Sequence, residues 1–175
     1  MPKSYISIGG NIDKDLHIPA GLKALERLFG KLFVSSVYES EPVGFSGDPF
    51  YNLVVGFDTD FSIMEIIKHL RQIESANGRI RNGQKFSGHT LDLDLILYGN
   101  QIVDNDDVQI PRKDIENYAF VLEPLAEIAP GLEHPVRSIS FEKLWNKFNK
   151  TGINQKRVRP PWLSKFSDSR HFIFP

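Results

Sequence analysis

The chain has no cysteine among its 175 residues. That excludes disulfides, thiolate-held metals and a cysteine nucleophile, and it fits a reducing compartment. No apolar run reaches membrane-spanning length, and no apolar leader follows Met1-Pro2-Lys3-Ser4-Tyr5. The expectation is a cytoplasmic protein with no membrane partner. Internal repeats and low-complexity segments are also missing. What is there, 41% hydrophobic residues, suffices for one globular domain with a proper core.

The formal net charge is only −1, but it is unevenly placed. Residues 150–175 carry Lys150, Lys156, Arg157, Arg159, Lys165 and Arg170 against Asp168 alone, leaving 15 basic and 21 acidic residues in 1–149. An acidic body suits cations held by carboxylates and argues against a broad nucleic-acid surface. We therefore read 1–149 as the domain and 150–175 as a basic extension, broken at Pro160-Pro161, rather than a second domain. Its Trp162, Phe166, Phe172 and Phe174 fit either an acidic partner, whose identity stays open, or packing on the domain itself.

Periodicity orders the elements. Tyr5-Ile6-Ser7-Ile8 predicts a strand stopped by Gly9-Gly10-Asn11. Ile18, Leu22, Leu25, Leu28 and Phe29 fall at helical spacing, with Gly30 ending that helix. Leu32 to Glu39 and Tyr51 to Asp58 predict two strands joined by the loop Val43 to Pro49. Ser62-Ile63-Met64-Glu65 is a capping box, and the helix it opens ends at Asn77-Gly78. A strand at 91–98 completes β-α-β-β-α-β: an α+β, ferredoxin-like plan, an antiparallel sheet with helices on its faces. Additional C-terminal elements follow, namely a hairpin around Gln101 to Val103 and helical stretches near Phe120 to Ile128 and Phe141 to Phe148. Such a plan hosts many activities, so function has to come from a site.

The strand 91–98 is the most informative stretch. Leu91, Leu93, Leu95 and Leu97 alternate with Asp92, Asp94, Ile96 and Tyr98, the pattern of a strand with one buried face. Aspartate is a poor strand residue, and two on one face lie roughly 7 Å apart at Cα. Divalent cations would turn that repulsion into attraction, because Mg²⁺ prefers carboxylate oxygens and phosphates. The plain alternative is a solvated acidic face. Just before it, the loop Gly78 to His89 brings Arg79, Arg81, Lys85 and His89 together with three glycines. Guanidinium forks bind phosphate oxygens, and glycines let a loop close over a ligand. A solvated basic loop balancing the strand is the alternative, though its length between helix and strand favours a function.

Here the chain resembles a known family. Glu74, Gly78-Arg79-Ile80-Arg81, the run Lys85 to Asp94, the run Phe120 to Pro130 and the start Tyr5 to Asn11 are similar to 6-hydroxymethyl-7,8-dihydropterin pyrophosphokinase, over about Ser4 to Phe148. The resemblance implies transfer of the diphosphate of ATP to the hydroxymethyl group of a reduced pterin, releasing AMP, in folate biosynthesis. It implies that Asp92 and Asp94 bind two Mg²⁺, with Asp94 assisting removal of the hydroxyl proton. Arg79, Arg81 and His89 would serve the transfer. Glu74, Arg81, Lys85, Arg112 and Lys113 would serve ATP. Ser40, Pro42, Val43, Phe50, Asn52, Phe86 and Phe120 would form the pterin pocket, since a flat ring needs aromatic faces and an amide at its rim.

The sequence departs from the family pattern at several points. Phe86-Ser87-Gly88-His89-Thr90 stands where aromatic-Gly-Pro-Arg-Thr is usual, so His89 replaces a fixed cation and would act in its charged form. Arg112 replaces a histidine, Tyr118 an arginine, and Asp107 lies where a cation is often found; Arg112 and Lys113 would compensate. These changes keep a divergent paralogue in view, one using another pterin-like acceptor or binding without efficient transfer.

Overall fold

The structure, a computed structural model, describes residues 1–80 and 88–170. Arg81, Lys85, Phe86, Phe172 and Phe174 lie outside the described residues. Its elements in chain order are β1 (Lys3–Gly10), α1 (Lys14–Phe29), β2 (Phe33–Val34), β3 (Val37–Ser40), β4 (Phe50–Asp58), α2 (Ile63–Ala76), β5 (Asp92–Tyr98), β6 (Val103–Asp104), β7 (Gln109–Ile110), α3 (Asp114–Asn117), α4 (Ala119–Ile128), α5 (Phe141–Lys147) and β8 (Gln155–Val158), followed by a 3-10 helix at Pro161–Arg170. Strands β5-β1-β4-β3-β8 form one sheet in that order, and every pairing in it is antiparallel. The first four reproduce the ferredoxin-like arrangement expected from β-α-β-β-α-β.

The local signals hold. Ser62 and Glu65 cap each other's backbone at the start of α2, and Gly78 ends it with φ 76°. One face of the sheet packs Ile6, Ile8, Leu53, Val55, Leu93 and Leu95 against Leu22 and Leu25 of α1 and Ile66 and Leu70 of α2. The other face packs Val54, Ile96 and Leu97 against Val121, Leu122 and Leu125 of α4 and Phe141 of α5. This second layer stops short of one end of the sheet, and the cleft described below opens there.

Three local features differ from the periodic reading. The stretch 32–39 is two short strands, β2 and β3, both paired with β4. The break falls at Ser35 and Ser36. Val54 N–H donates to Ser35 Oγ at 2.9 Å, and the N–H and Oγ of Ser36 both donate to Glu127 Oε1. Strict alternation along β5 also fails: Tyr5 and Ile6 face Leu97 and Leu95, so Ile96 is an extra residue. The bulge turns Leu97 onto the same side as Ile96 and away from Leu93 and Leu95. The hairpin lies further on, formed by β6 and β7.

The extension is built onto the sheet. Strand β8 pairs with β3, Ser40 facing Gln155. Trp162 and Leu163 join the core beside α1, and Trp162 Nε1–H donates to Asp15 Oδ1 at 2.7 Å. No helix among the described residues is long and apolar enough to cross a membrane.

Candidate active site

Strand register sets the site. Asn52 faces Gly9, and Gly9 faces Asp92, in one row across β4, β1 and β5. In the next row Val54 faces Ser7, which faces Asp94. Hydrophobic residues at the intervening positions enter the first core, so the polar set points into a cleft of about 360 Å³. Gly9 matters by what it omits: a Cβ there would lie 3.2 Å from Asn52 Oδ1, so glycine keeps the floor between the amide and the first aspartate clear. Asn52 Nδ2–H donates to Ser40 Oγ at 2.8 Å, which fixes the amide's orientation.

Aromatic rings wall the cleft. Tyr118 and Phe120 stack at 4.9 Å with 18° between planes, and Phe50 meets Phe45 and His89 edge-on. Of the expected pterin residues, Ser40, Val43, Phe50, Asn52 and Phe120 line this cleft and Pro42 does not. Of the others, Asp92, Asp94, His89 and Arg112 line it. Lys113 is exposed and outside the lining, and Asp107 is exposed at the β6–β7 turn. The sequence reading missed Ser7, Gly9, Phe45 and Asp114 as lining residues; period-two registration of β1 against β5 is the signal that points to Ser7 and Gly9.

Each aspartate meets a guanidinium from a different element. Arg79 Nη2 lies 3.6 Å from Asp92 Oδ1, and Arg112 Nη1 lies 3.5 Å from Asp94 Oδ1. Arg112 also donates from Nε to Asp114 Oδ2 at 2.6 Å, and its backbone N–H bonds the carbonyl of the bulged Ile96.

Glu74, expected on the nucleotide side, is 1% exposed. Its Oε1 accepts from the N–H of Leu93 at 2.8 Å, between the two aspartates. Among the described residues β5 is an end strand of the sheet, and the helix supplies this N–H with its acceptor. Glu74 thus positions the aspartate strand from behind. Replacing it with alanine strands a buried donor, and we expect a loss of about 1–3 kcal/mol in chemical denaturation, together with slower transfer.

His89 sits in a joint made by Asn11. The side-chain Oδ1 of Asn11 accepts from His89 N–H at 2.9 Å, its Nδ2–H donates to Asp48 O, and the N–H groups of Asn11 and Ile12 donate to His89 O. Arg79 Nη1 lies 2.7 Å from His89 Nδ1. Guanidinium can only donate, so Nδ1 accepts and the ring is neutral, protonated at Nε2. Burial first, then the Arg79 charge, hold the imidazole pKa below its ordinary value, against the pull of Asp92 and Asp94. The expectation of a charged His89 was tied to a phosphate beside it, whereas these protein contacts by themselves favour the neutral ring. The neutral form is the one the fold prefers, so its stability contribution is intact above the unfolded pKa of about 6.5. It is lost as pH falls through that value towards the lowered folded one. His134, also pushed down by burial, adds a loss of the same sign. We expect His89→Gln, which keeps an acceptor for Arg79, to flatten the fall of melting temperature below pH 6.5 without abolishing it.

A family profile described as 7,8-dihydro-6-hydroxymethylpterin-pyrophosphokinase matches residues 5–130. The chain belongs to this family. It is 38% identical over 146 residues to the 2-amino-4-hydroxy-6-hydroxymethyldihydropteridine pyrophosphokinase of Haemophilus influenzae, covering 81% of this chain and 91% of that one. The Pseudomonas aeruginosa protein of the same name is 36% identical over 139 residues, with 77% and 85% covered. The folic acid synthesis protein FOL1 of Dictyostelium discoideum is 34% identical, covering 90% of this chain and 24% of that one. Among solved structures, wild-type Plasmodium falciparum HPPK-DHPS superposes with TM-score 0.64 at 13% identity, over 83% of this chain and 44% of that one. At that identity it supports the fold, and this pyrophosphokinase-family chain spans less than half its length.

Proposed function

We propose that this member of the pyrophosphokinase family transfers the diphosphate of ATP to the hydroxymethyl group of 6-hydroxymethyl-7,8-dihydropterin, releasing AMP, in folate biosynthesis. The observation that carries the site assignment is the row Asn52–Gly9–Asp92: an amide, a bare floor and a carboxylate across three strands, walled by aromatic rings. A pterin presents a flat ring with an amide-like edge. Asn52 and Ser40 match that edge, and Phe50 and the Tyr118–Phe120 pair supply ring faces. Its hydroxymethyl group is then directed towards Asp92 and Asp94.

The two aspartates are hard oxygen donors on alternate residues, each partly open to the cleft. No group of three or more His, Cys, Asp or Glu side chains forms a closed cage among the described residues. That donor set fits Mg²⁺, which keeps water and substrate phosphates in its shell. Asp92 and Asp94 would hold it, as two ions in the finer form of this reading, supplying charge neutralisation at the phosphates. Asp94 accepts the hydroxyl proton as that oxygen bonds to the β-phosphorus. The bond from the β-phosphorus to the α-phosphate oxygen breaks, and AMP leaves with the electron pair. Arg79 and Arg112, each turned to an aspartate, steady the phosphate charge.

The test is AMP release from Mg·ATP with and without the reduced pterin. We expect AMP to appear only with the pterin and in step with its diphosphate. AMP formation that ignores the pterin, or ADP as product, contradicts the proposal.

A further inference from the structure

We propose that Asp114 is a positioning residue that holds Arg112 back from Asp94, so that Asp94 stays able to take a metal ion in the substrate-free protein. This rests on the reading of Asp92 and Asp94 as the metal site. Arg112 is pinned where it competes for Asp94: its backbone bonds the carbonyl of Ile96, two residues along β5, and its Nη1 stands 3.5 Å from Asp94 Oδ1. The two contacts of the guanidinium are unequal. At 2.6 Å, Nε to Asp114 Oδ2 is a short charge-assisted hydrogen bond, whereas 3.5 Å to Asp94 lies beyond the range of one. Asp114 opens the short helix α3 only two residues from Arg112, so local backbone geometry favours the nearer partner. Without Asp114, the guanidinium's best remaining carboxylate in this cluster is Asp94. A fixed cation seated on Asp94 opposes a divalent cation there.

A nucleotide-free titration with Mn²⁺, followed by the electron paramagnetic resonance signal of free Mn²⁺, reads this without turnover. We expect Arg112→Gln to tighten Mn²⁺ binding and Asp114→Asn to weaken it, each by about two- to fivefold for partly exposed charges. In the double variant the effect of Asp114→Asn should vanish, leaving the affinity of Arg112→Gln. An equal weakening by Asp114→Asn in both backgrounds means that Asp114 attracts the metal directly, and it overturns the proposal. So does an Arg112→Gln protein that binds Mn²⁺ no better than the original. The Asp94→Asn variant separates the two levels: unchanged Mn²⁺ binding there removes the metal site itself, and this inference with it.

Discussion

Replacing Asp92 or Asp94 with asparagine is expected to leave a folded protein whose pterin-dependent AMP release is at least about a hundredfold slower, the scale seen when a charge-stabilising group is lost from a reaction centre. Both side chains open into one cleft from alternate positions of β5, and among the described residues no others lining that cleft are paired carboxylates on one strand. The stability effect separates site from scaffold. From the sequence, removing one of two like charges should stabilise the strand. In the structure each aspartate faces a guanidinium, so the sign reverses. We expect a small destabilisation, within about 1 kcal/mol for such pairs, in a denaturant titration. A variant with near-normal AMP release counts directly against the metal-site reading.

The second large effect is expected at the joint behind His89. Asn11 is 5% exposed and ties the end of β1 to His89 and to the loop at Asp48. Asn11→Ala leaves the His89 N–H without its acceptor, and we expect about 1–3 kcal/mol of lost stability. Activity should fall further than stability alone explains, because a shift of about 1 Å in a reacting constellation can cost about a hundredfold. Gly10→Ala probes the same joint from the other side. Its Cβ would lie 2.7 Å from the carbonyl oxygen of Thr90, backbone that moves only by carrying His89 and Asp92 with it. Full activity at saturating substrates in both variants would show that the joint does not position the site.

These two sets of residues differ in how readable they were. The Ser62–Glu65 box, the glycine ends of α1 and α2 and the alternation at Asp92 and Asp94 are local patterns, and the folded chain keeps them. The break at Ser35 and Ser36 depends on Glu127, about ninety residues away, and no window of sequence contains both. The bulge at Ile96 is set by the register of β1. His89 was expected to be charged because it stands where the family pattern has an arginine; its contact with Arg79, which favours the neutral ring, joins two residues that only the fold brings together. Glu74 was expected on the nucleotide side; its burial and its bond to the Leu93 N–H join a helix to a strand that no local window pairs. Asn11 was visible within Gly9-Gly10-Asn11, but its two partners lie in separate loops. The sequence therefore carried the fold plan and most of the cleft, while the polar contacts behind the cleft needed the third dimension.

The most direct measurement follows two phosphorus atoms. ATP labelled separately at its β and γ positions is incubated with the protein, Mg²⁺ and 6-hydroxymethyl-7,8-dihydropterin, and the products are resolved. Both labels should move together onto the pterin in equal amounts while the α-phosphorus stays in AMP. Transfer of the γ label alone, or release of both labels as free phosphate with the pterin unchanged, would contradict it.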